Sequence, residues 1–540
     1  MKNGKQSAKQ LDRERLNAEK AQKSKKSKSN NKSDVKKVKK KSGLLKKDVH
    51  MTMPYKKVLA DNIWLIADKT YSKAYSFQDI NYNLGDEDQQ VDILQNYSNY
   101  LSTLDDTVDC QICIWNSRTN EADLEKEVLI DEVNDEFKNF REEYNTRVLK
   151  ENMKKGKNVI HKRMCITLTI KAADEQYAFQ KFNTLDLELK NSFDRIGHTH
   201  LRVMTSQQRV ELLKDFFIGC DVPIPELTEK DFKDNLDKVY CSPDDFEFKP
   251  DYFLFGDKYA KCVFIKDYPA LATDSILTDL FATNLEIMAT TNIIAHDPAK
   301  ARKLVQRQIT AIDTNMAQRE SKAAQHGNFS SQIPVRIKNQ LDGYKALFEK
   351  LTKDDQKLYS VNTIIMIVAK SFQELEANTE IVASTLKRNG CMFGKMKYQQ
   401  EDGMIDCLPV GSQRKFEWRR SLPTESVAIF QPFNVKEIQK KNGIYYGMNV
   451  LSNNLVTFDR LKCLINPSGF ILGCPGAGKS FFGKREMIDV FLRYQDADIM
   501  IIDPEREYHS VVNMFDGENV KISLNSQNFI NPFEFDLTVT

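Results

Sequence analysis

Eight residues constrain this chain more than any others: Gly473-Cys474-Pro475-Gly476-Ala477-Gly478-Lys479-Ser480. They fit the phosphate-binding pattern G-x-x-x-x-G-K-[ST] at every fixed position, which chance would supply in roughly one such sequence in a hundred. The pattern works only between a strand and a helix. Upstream, Gly469-Phe470-Ile471-Leu472 reads as a short buried strand. Downstream, Ser480 to Tyr494 reads as a helix with Phe482, Met487, Val490 and Phe491 as a broken apolar stripe.

Each residue type has a physical reason to be there. Glycines let backbone N–H groups close around phosphate oxygens where a Cβ would intrude. The helix start adds unpaired N–H groups and a positive dipole end. The expected ligand is ATP with Mg²⁺, held by Gly473 to Ser480 and the following Phe481. Lys479 is placed to reach the β- and γ-phosphates, and the Ser480 hydroxyl to ligate Mg²⁺, so these two are the catalytic candidates. Asp503 and Glu505 follow an apolar run, Ala497 to Ile502, that reads as a second buried strand. Coming only 23 residues after Ser480, Asp503 is read with Glu505 as a supporting residue beside the site; direct association with Mg²⁺ is the alternative.

A length of 540 residues suggests three or four domains, and an apolar share of 41% suffices for sizeable cores. The ten cysteines form no framework and read as reduced thiols of a cytosolic protein. The start lacks the apolar core of a signal peptide, and the longest apolar run, Ile364 to Ala369, is too short to span a bilayer. The net charge of +3 hides an asymmetry: residues 1–50 carry 18 Lys and Arg against 5 Asp and Glu, leaving residues 51–540 at −10. That basic tail is too polar to fold alone and suits anionic lipid or nucleic acid, or simply solubility. The acidic remainder argues against a large exposed DNA-binding face there.

The expected fold class is α/β: a RecA-like P-loop domain over 426–540, preceded by an α+β domain over 51–220 and a middle region over 221–425. Strands are expected at Ala74–Tyr82, Thr107–Trp115, Arg163–Ile170 and near His200–Met204, with helices between them and a charged helix at Glu121–Lys150. In the middle region, Tyr252–Phe255 and Lys261–Ile265 read as a hairpin across Gly256-Asp257. A helix is expected from Thr273 or Asp274 to about Ala289. Two more, opened by Asp297-Pro298 and by Val335, are expected to dock antiparallel. Ser371 to Glu374 is a capping box after a strand at Leu358–Ala369. A strand pair near Ile444 and Phe458 precedes the phosphate strand, and a last strand is expected at Val520–Leu524. Only about three parallel strands then accompany the loop, so the chain is expected to stop inside its last domain.

Other candidates are weak. Cys110-x-x-Cys113 has zinc-like spacing, but on a strand its thiols face opposite sides. His198-x-His200 lacks a third ligand, and Cys474 reads as an ordinary loop thiol.

Several stretches together resemble the conjugal transfer ATPases of type IV secretion systems, the VirB-four class. They are GFILGCPGAGKSFFGKREM, IMIIDPEREY and INPFEF. Fainter matches are SFQDINY near residue 80, FIKDYP near 266, AHDPAKA near 298, Leu408-Pro409 and IYYGMNVLSNN. The resemblance spans about residues 55–535 and looks closest to versions carried on integrative elements of Gram-positive bacteria. It implies a cytoplasmic ATPase, peripheral to the inner face of the cell membrane, that forms homo-oligomers, often hexamers. Other secretion subunits at that membrane would be its partners, and channel assembly or substrate passage its work. The family's second acidic motif and its arginine finger are expected beyond Thr540. Two rivals stand beside this reading: a HerA–FtsK-type DNA translocase, and a nucleotide-gated assembly subunit without catalysis.

Overall fold

The computed structural model describes residues 52–118, 121–155, 160–197, 199–220, 222–269, 275–283, 285–325, 335–354, 356–411, 418–440, 442–450 and 454–526. The basic tail, His198, the proposed helix start at Thr273 and Asp274, and the INPFEF stretch lie outside them.

A thirteen-stranded antiparallel sheet organises the chain from Lys57 to Pro423. Its six central strands lie side by side in the order Thr70–Phe77, Ile160–Lys171, Val108–Arg118, Ile287–Ala295, Leu358–Ala369 and Lys258–Asp267. The stretches 51–220 and 221–425 therefore share one sheet: Val108–Arg118 pairs directly with Ile287–Ala295, with Ile114 opposite Ala289. Residues 53–540 form a single unit.

The period-two pattern explains how the sheet is covered on both faces. Along one strand, Cys110, Ile112 and Ile114 enter one core with Tyr97, Phe182, Phe193 and Leu375 from the helices on that side. Cys113 and Trp115 enter the other, with Phe216, Phe255 and Met404. The two cysteines of the zinc-like spacing thus end in different cores, both as free buried thiols.

The helices start where capping chemistry allows. Asp86, Asp174 and Ser371 accept from backbone N–H groups three residues on, each cap contributing about 1 kcal/mol. Thr205 and Gln208 complete a reciprocal capping box before Ser206–Phe217.

The polar strand residues fasten a crossing segment. Gln111 donates to the Asp406 carbonyl (2.9 Å) and accepts from Gly411 N (3.0 Å), while Thr167 and Thr169 donate to Pro409 and Gly411 carbonyls. Gly411, at φ +87°, admits no side chain there, because a Cβ would lie 2.3 Å from Thr169 Oγ1.

Several expectations need correction. The helix expected to reach Ala289 stops at Phe281, and Ile287–Ala295 is instead a central strand. Its β-branched run, Thr290, Thr291, Ile293 and Ile294, suits a strand covered on both faces. The charged helix at 121–150 is broken into Glu121–Val128, Lys138–Tyr144, a π-helical turn at Asn145–Lys150 and Glu151–Lys155. The segments Gly469–Leu472, Ala497–Ile502 and Val520–Leu524, expected as buried parallel strands, belong to no ladder. A strand exists only through its neighbours, and none of the three has one among the described residues. Their apolar side chains are left in solvent: Phe470 is 93% and Ile502 90% exposed.

Two of the central connections are far longer than their geometry requires. Neighbouring antiparallel strands can be joined by two residues. Val108–Arg118 and Ile160–Lys171 are joined by residues 119–159, and Ile287–Ala295 and Leu358–Ala369 by residues 296–357. Arg118 lies beyond the end of its strand that faces Ile287, while Ala295 faces the other end. The two excursions therefore leave the sheet at opposite ends.

Candidate nucleotide-binding site

The phosphate-loop helix runs over Lys479–Arg493. Gly478 precedes it in a left-handed conformation, φ +88°, and supplies no side-chain cap. The first N–H to bond within the helix is that of Phe482, on the Gly478 carbonyl. The N–H groups before it have no intrahelical acceptor and stay open toward the loop. Gly476 is also left-handed, φ +78°, and nothing lies within 4 Å of a Cβ built at Gly476 or Gly478. The backbone at both glycines thus faces open space.

Lys479 folds back along the loop. Its side-chain carbons lie 3.3 and 3.6 Å from a Cβ built at Gly473, and its ammonium donates to the Cys474 carbonyl at 3.3 Å. That single long bond to an exposed carbonyl leaves the charge free to transfer to a phosphate. Ser480 is half-buried on the first turn; Gly473, Cys474, Pro475, Ala477 and Phe481 are exposed. These eight loop residues and Phe481 form one contiguous site. The residues fit a nucleotide phosphate chain: backbone donors, one mobile cation and one hydroxyl for Mg²⁺. No group of three or more His, Cys, Asp or Glu able to hold a metal ion occurs among the described residues.

Asp503 is tied into its own turn. It accepts from Tyr508 N at 2.8 Å, and that bond, with others from Glu507, Arg506 and Glu505 N–H groups, holds its carboxyl below the usual range. The turn rests on the phosphate-loop helix through Tyr508. A Cβ at Gly483 would lie 2.7 Å from the Tyr508 hydroxyl, and the Lys484 ammonium sits 5.5 Å from its ring. Asp503 thereby belongs to a turn seated one helical turn beyond Lys479 and Ser480, whereas Glu505 is exposed to solvent.

The opposite side of the helix is gripped by residues that sequence reading passed over. The hairpin Ile444–Met448 with Leu455–Phe458 lies alongside. Arg485 donates to the Tyr445 and Tyr446 carbonyls (3.0 and 2.7 Å), and Glu486 accepts from Tyr446 and pairs with Arg460 at 2.7 Å. The excursion 119–159 supplies the rest. Arg141, 3% exposed, forks onto Asp135 and donates through Nε to the Leu492 carbonyl at 2.8 Å. Tyr144 donates to the fully buried Asp489, which pairs with Arg493; Arg493 in turn donates to the Val128 carbonyl. Phe137 packs edge-on against Phe491 and Phe515 beside them, and those two rings lie tilted on each other. The signal was present as Arg485, Asp489 and Arg493 spaced by four, one face of a helix.

No protein-family model and no curated protein matches this chain.

Proposed function

We propose that the chain binds ATP–Mg²⁺ at Gly473–Ser480 and serves as a motor subunit of a conjugative type IV secretion apparatus. The observation that carries the nucleotide part is the loop itself. Two left-handed glycines, an uncapped helix start and a lysine resting on one exposed carbonyl are what a phosphate chain needs. Mg²⁺, when bound with the nucleotide, neutralises phosphate charge, and Ser480 is this chain's ligand for it. Lys479 orients the phosphates and balances their charge. Asp503 holds the adjacent turn in place. The motor and secretion parts rest on the stretches quoted above, as do the homo-oligomer, the neighbouring secretion subunits and a place at the inner face of the membrane. No helix among the described residues is long and apolar enough to cross a membrane, which suits a peripheral subunit.

Lys479→Ala tests both parts. Removing one half-buried ammonium costs charge stabilisation but little packing. Affinity for a fluorescent ATP analogue with Mg²⁺ should fall at least tenfold with melting unchanged, and conjugal transfer should be lost. Unchanged analogue affinity would refute the nucleotide site. Lost affinity with normal transfer would refute the motor role alone.

A further inference from the structure

We propose that the helical hairpin in residues 296–357 is a nucleic-acid-binding arm that grips phosphates through its outer face. This stands apart from the ATP site, which lies toward the other end of the sheet.

The strands flanking this excursion are adjacent and antiparallel, paired from Ile287–Ile367 to Ala295–Tyr359. The fold asks for a short turn there, not 62 residues. The chain instead builds two helices, Pro298–Gln325 and Val335–Lys353. They bury a narrow seam against each other: Ala301, Val305 and Leu351 at the base, with Ile309, Tyr344 and Phe348 half-buried further out. The longer helix extends about 42 Å at 1.5 Å per residue.

Residues 298–353 hold 11 Lys and Arg against 4 Asp and Glu, a net of +7. Residues 51–540 together are at −10, so the part of that stretch outside the hairpin is at −17. Arg302, Lys303, Arg307 and Arg319 on one helix, with Arg336, Lys338 and Lys345 on the other, are exposed. None of these seven has a side-chain hydrogen bond or ion pair among the described residues. Cations left unpaired on an otherwise acidic protein point to an anionic partner.

Beyond Lys303 and Arg307 the same face continues as Gln306, Thr310, Thr314 and Asn315 along a shallow open groove. Apart from Leu304, this outer face offers nothing large and apolar to enter a bilayer, because the apolar stripe is spent on the partner helix. A membrane-surface helix needs that stripe free. A duplex needs only cations and polar groups matched to its phosphates, about one charge per 1.7 Å of axis. Arginine, four of the seven free cations, suits the planar phosphate fork.

The test uses the full chain with a labelled 30-base-pair duplex over a range of salt. The variant is Arg302→Gln/Lys303→Gln/Arg307→Gln. The control, Lys387→Gln/Lys395→Gln/Lys397→Gln, makes the same charge change at exposed sites elsewhere. The basic tail contributes equally to both. The hairpin variant should bind at least tenfold more weakly, with the slope of log K against log salt shallower by about 2 to 3; the control should change neither much. Equal losses in the two would refute the arm. So would an equal loss of hairpin-variant binding to phosphatidylserine vesicles, which would make the surface a general anion binder. Lysine footprinting of the unaltered protein gives a second reading. Duplex should protect Lys303, Lys338 and Lys345 and leave Lys387 and Lys395 reactive; uniform protection would overturn the proposal.

Discussion

Arg141→Ala should loosen the phosphate-loop helix without disturbing the sheet. The guanidinium is buried, 3% exposed, and makes two kinds of contact. Its fork to Asp135 lies at a partly open carboxylate, 31% exposed, where water can replace it. Its Nε–H bond to the Leu492 carbonyl cannot be replaced so easily, because Leu492 is buried at the last turn of the helix. A hydrogen bond from a charged donor contributes about 1.5–3 kcal/mol, and losing the packed side chain adds to that. A total near 3 kcal/mol corresponds to roughly a hundredfold rise in the opening equilibrium of the helix. Hydrogen exchange followed by mass spectrometry should show it in peptides covering 479–493 and 121–155, with peptides from Ile160–Lys171 unchanged. Arg141→Lys keeps the charge but not the fork, so its effect should be intermediate. A pH series adds a sign. Arg141 holds the Asp135 carboxyl below the usual range. The stabilisation is therefore present at neutral pH and lost as pH falls through the lowered folded-state value, on the acid side of the ordinary carboxylate range. The difference between the original protein and Arg141→Ala should narrow there. Equal exchange in the two proteins at pH 7 would refute the view that the 119–159 excursion holds this helix.

Gly478→Ala places a Cβ in open space but forces a side chain at φ +88°, at about 1–2 kcal/mol of strain. Melting should drop slightly while affinity for a fluorescent ATP analogue falls sharply; retained affinity would mean that the loop does not need this backbone. Gly483→Ala should displace Tyr508, whose hydroxyl lies 2.7 Å from the new Cβ, and so open the Asp503 turn to proteolysis near Arg506. Adding Tyr508→Phe removes the obstructing oxygen and should restore resistance; no rescue would show that the turn is held by something else.

Much of the fold was legible where one face of an element decided its fate. The cap at Ser371 sits where its residue type places it. The hairpin across Gly256-Asp257 has the expected turn, with Gly256 at φ +51°. Ile287–Ala295 was illegible because a strand buried on both faces loses its alternation and resembles a buried helix. The backbone of the loop was legible, since Gly476 and Gly478 take the left-handed conformation that glycine alone adopts freely. The grip on its helix was not. Arg141 and Asp489 meet that role only through contacts across more than 340 residues of sequence, which no local pattern carries.

Net charge and local charge carry different information. A sum of −10 over residues 51–540 argued against a nucleic-acid face on the folded body. Binding surfaces respond to the local field, because charges farther apart than about 10 Å are largely screened at 0.1 M salt. A projecting hairpin about 42 Å long escapes the average of the body that carries it. The topology explains why it projects. Strands that are already neighbours need no long connection, so residues 296–357 contribute little to closing the sheet and are free to take another role. The same reasoning applies at the other end, where residues 119–159 are equally unnecessary to the ladder yet grip the phosphate-loop helix through Arg141 and Tyr144. The sheet is the continuous part of this protein, thirteen strands in one ladder. What distinguishes it lies in the two excursions, one seated against the loop that fits ATP, the other carrying cations that nothing else in the described chain neutralises.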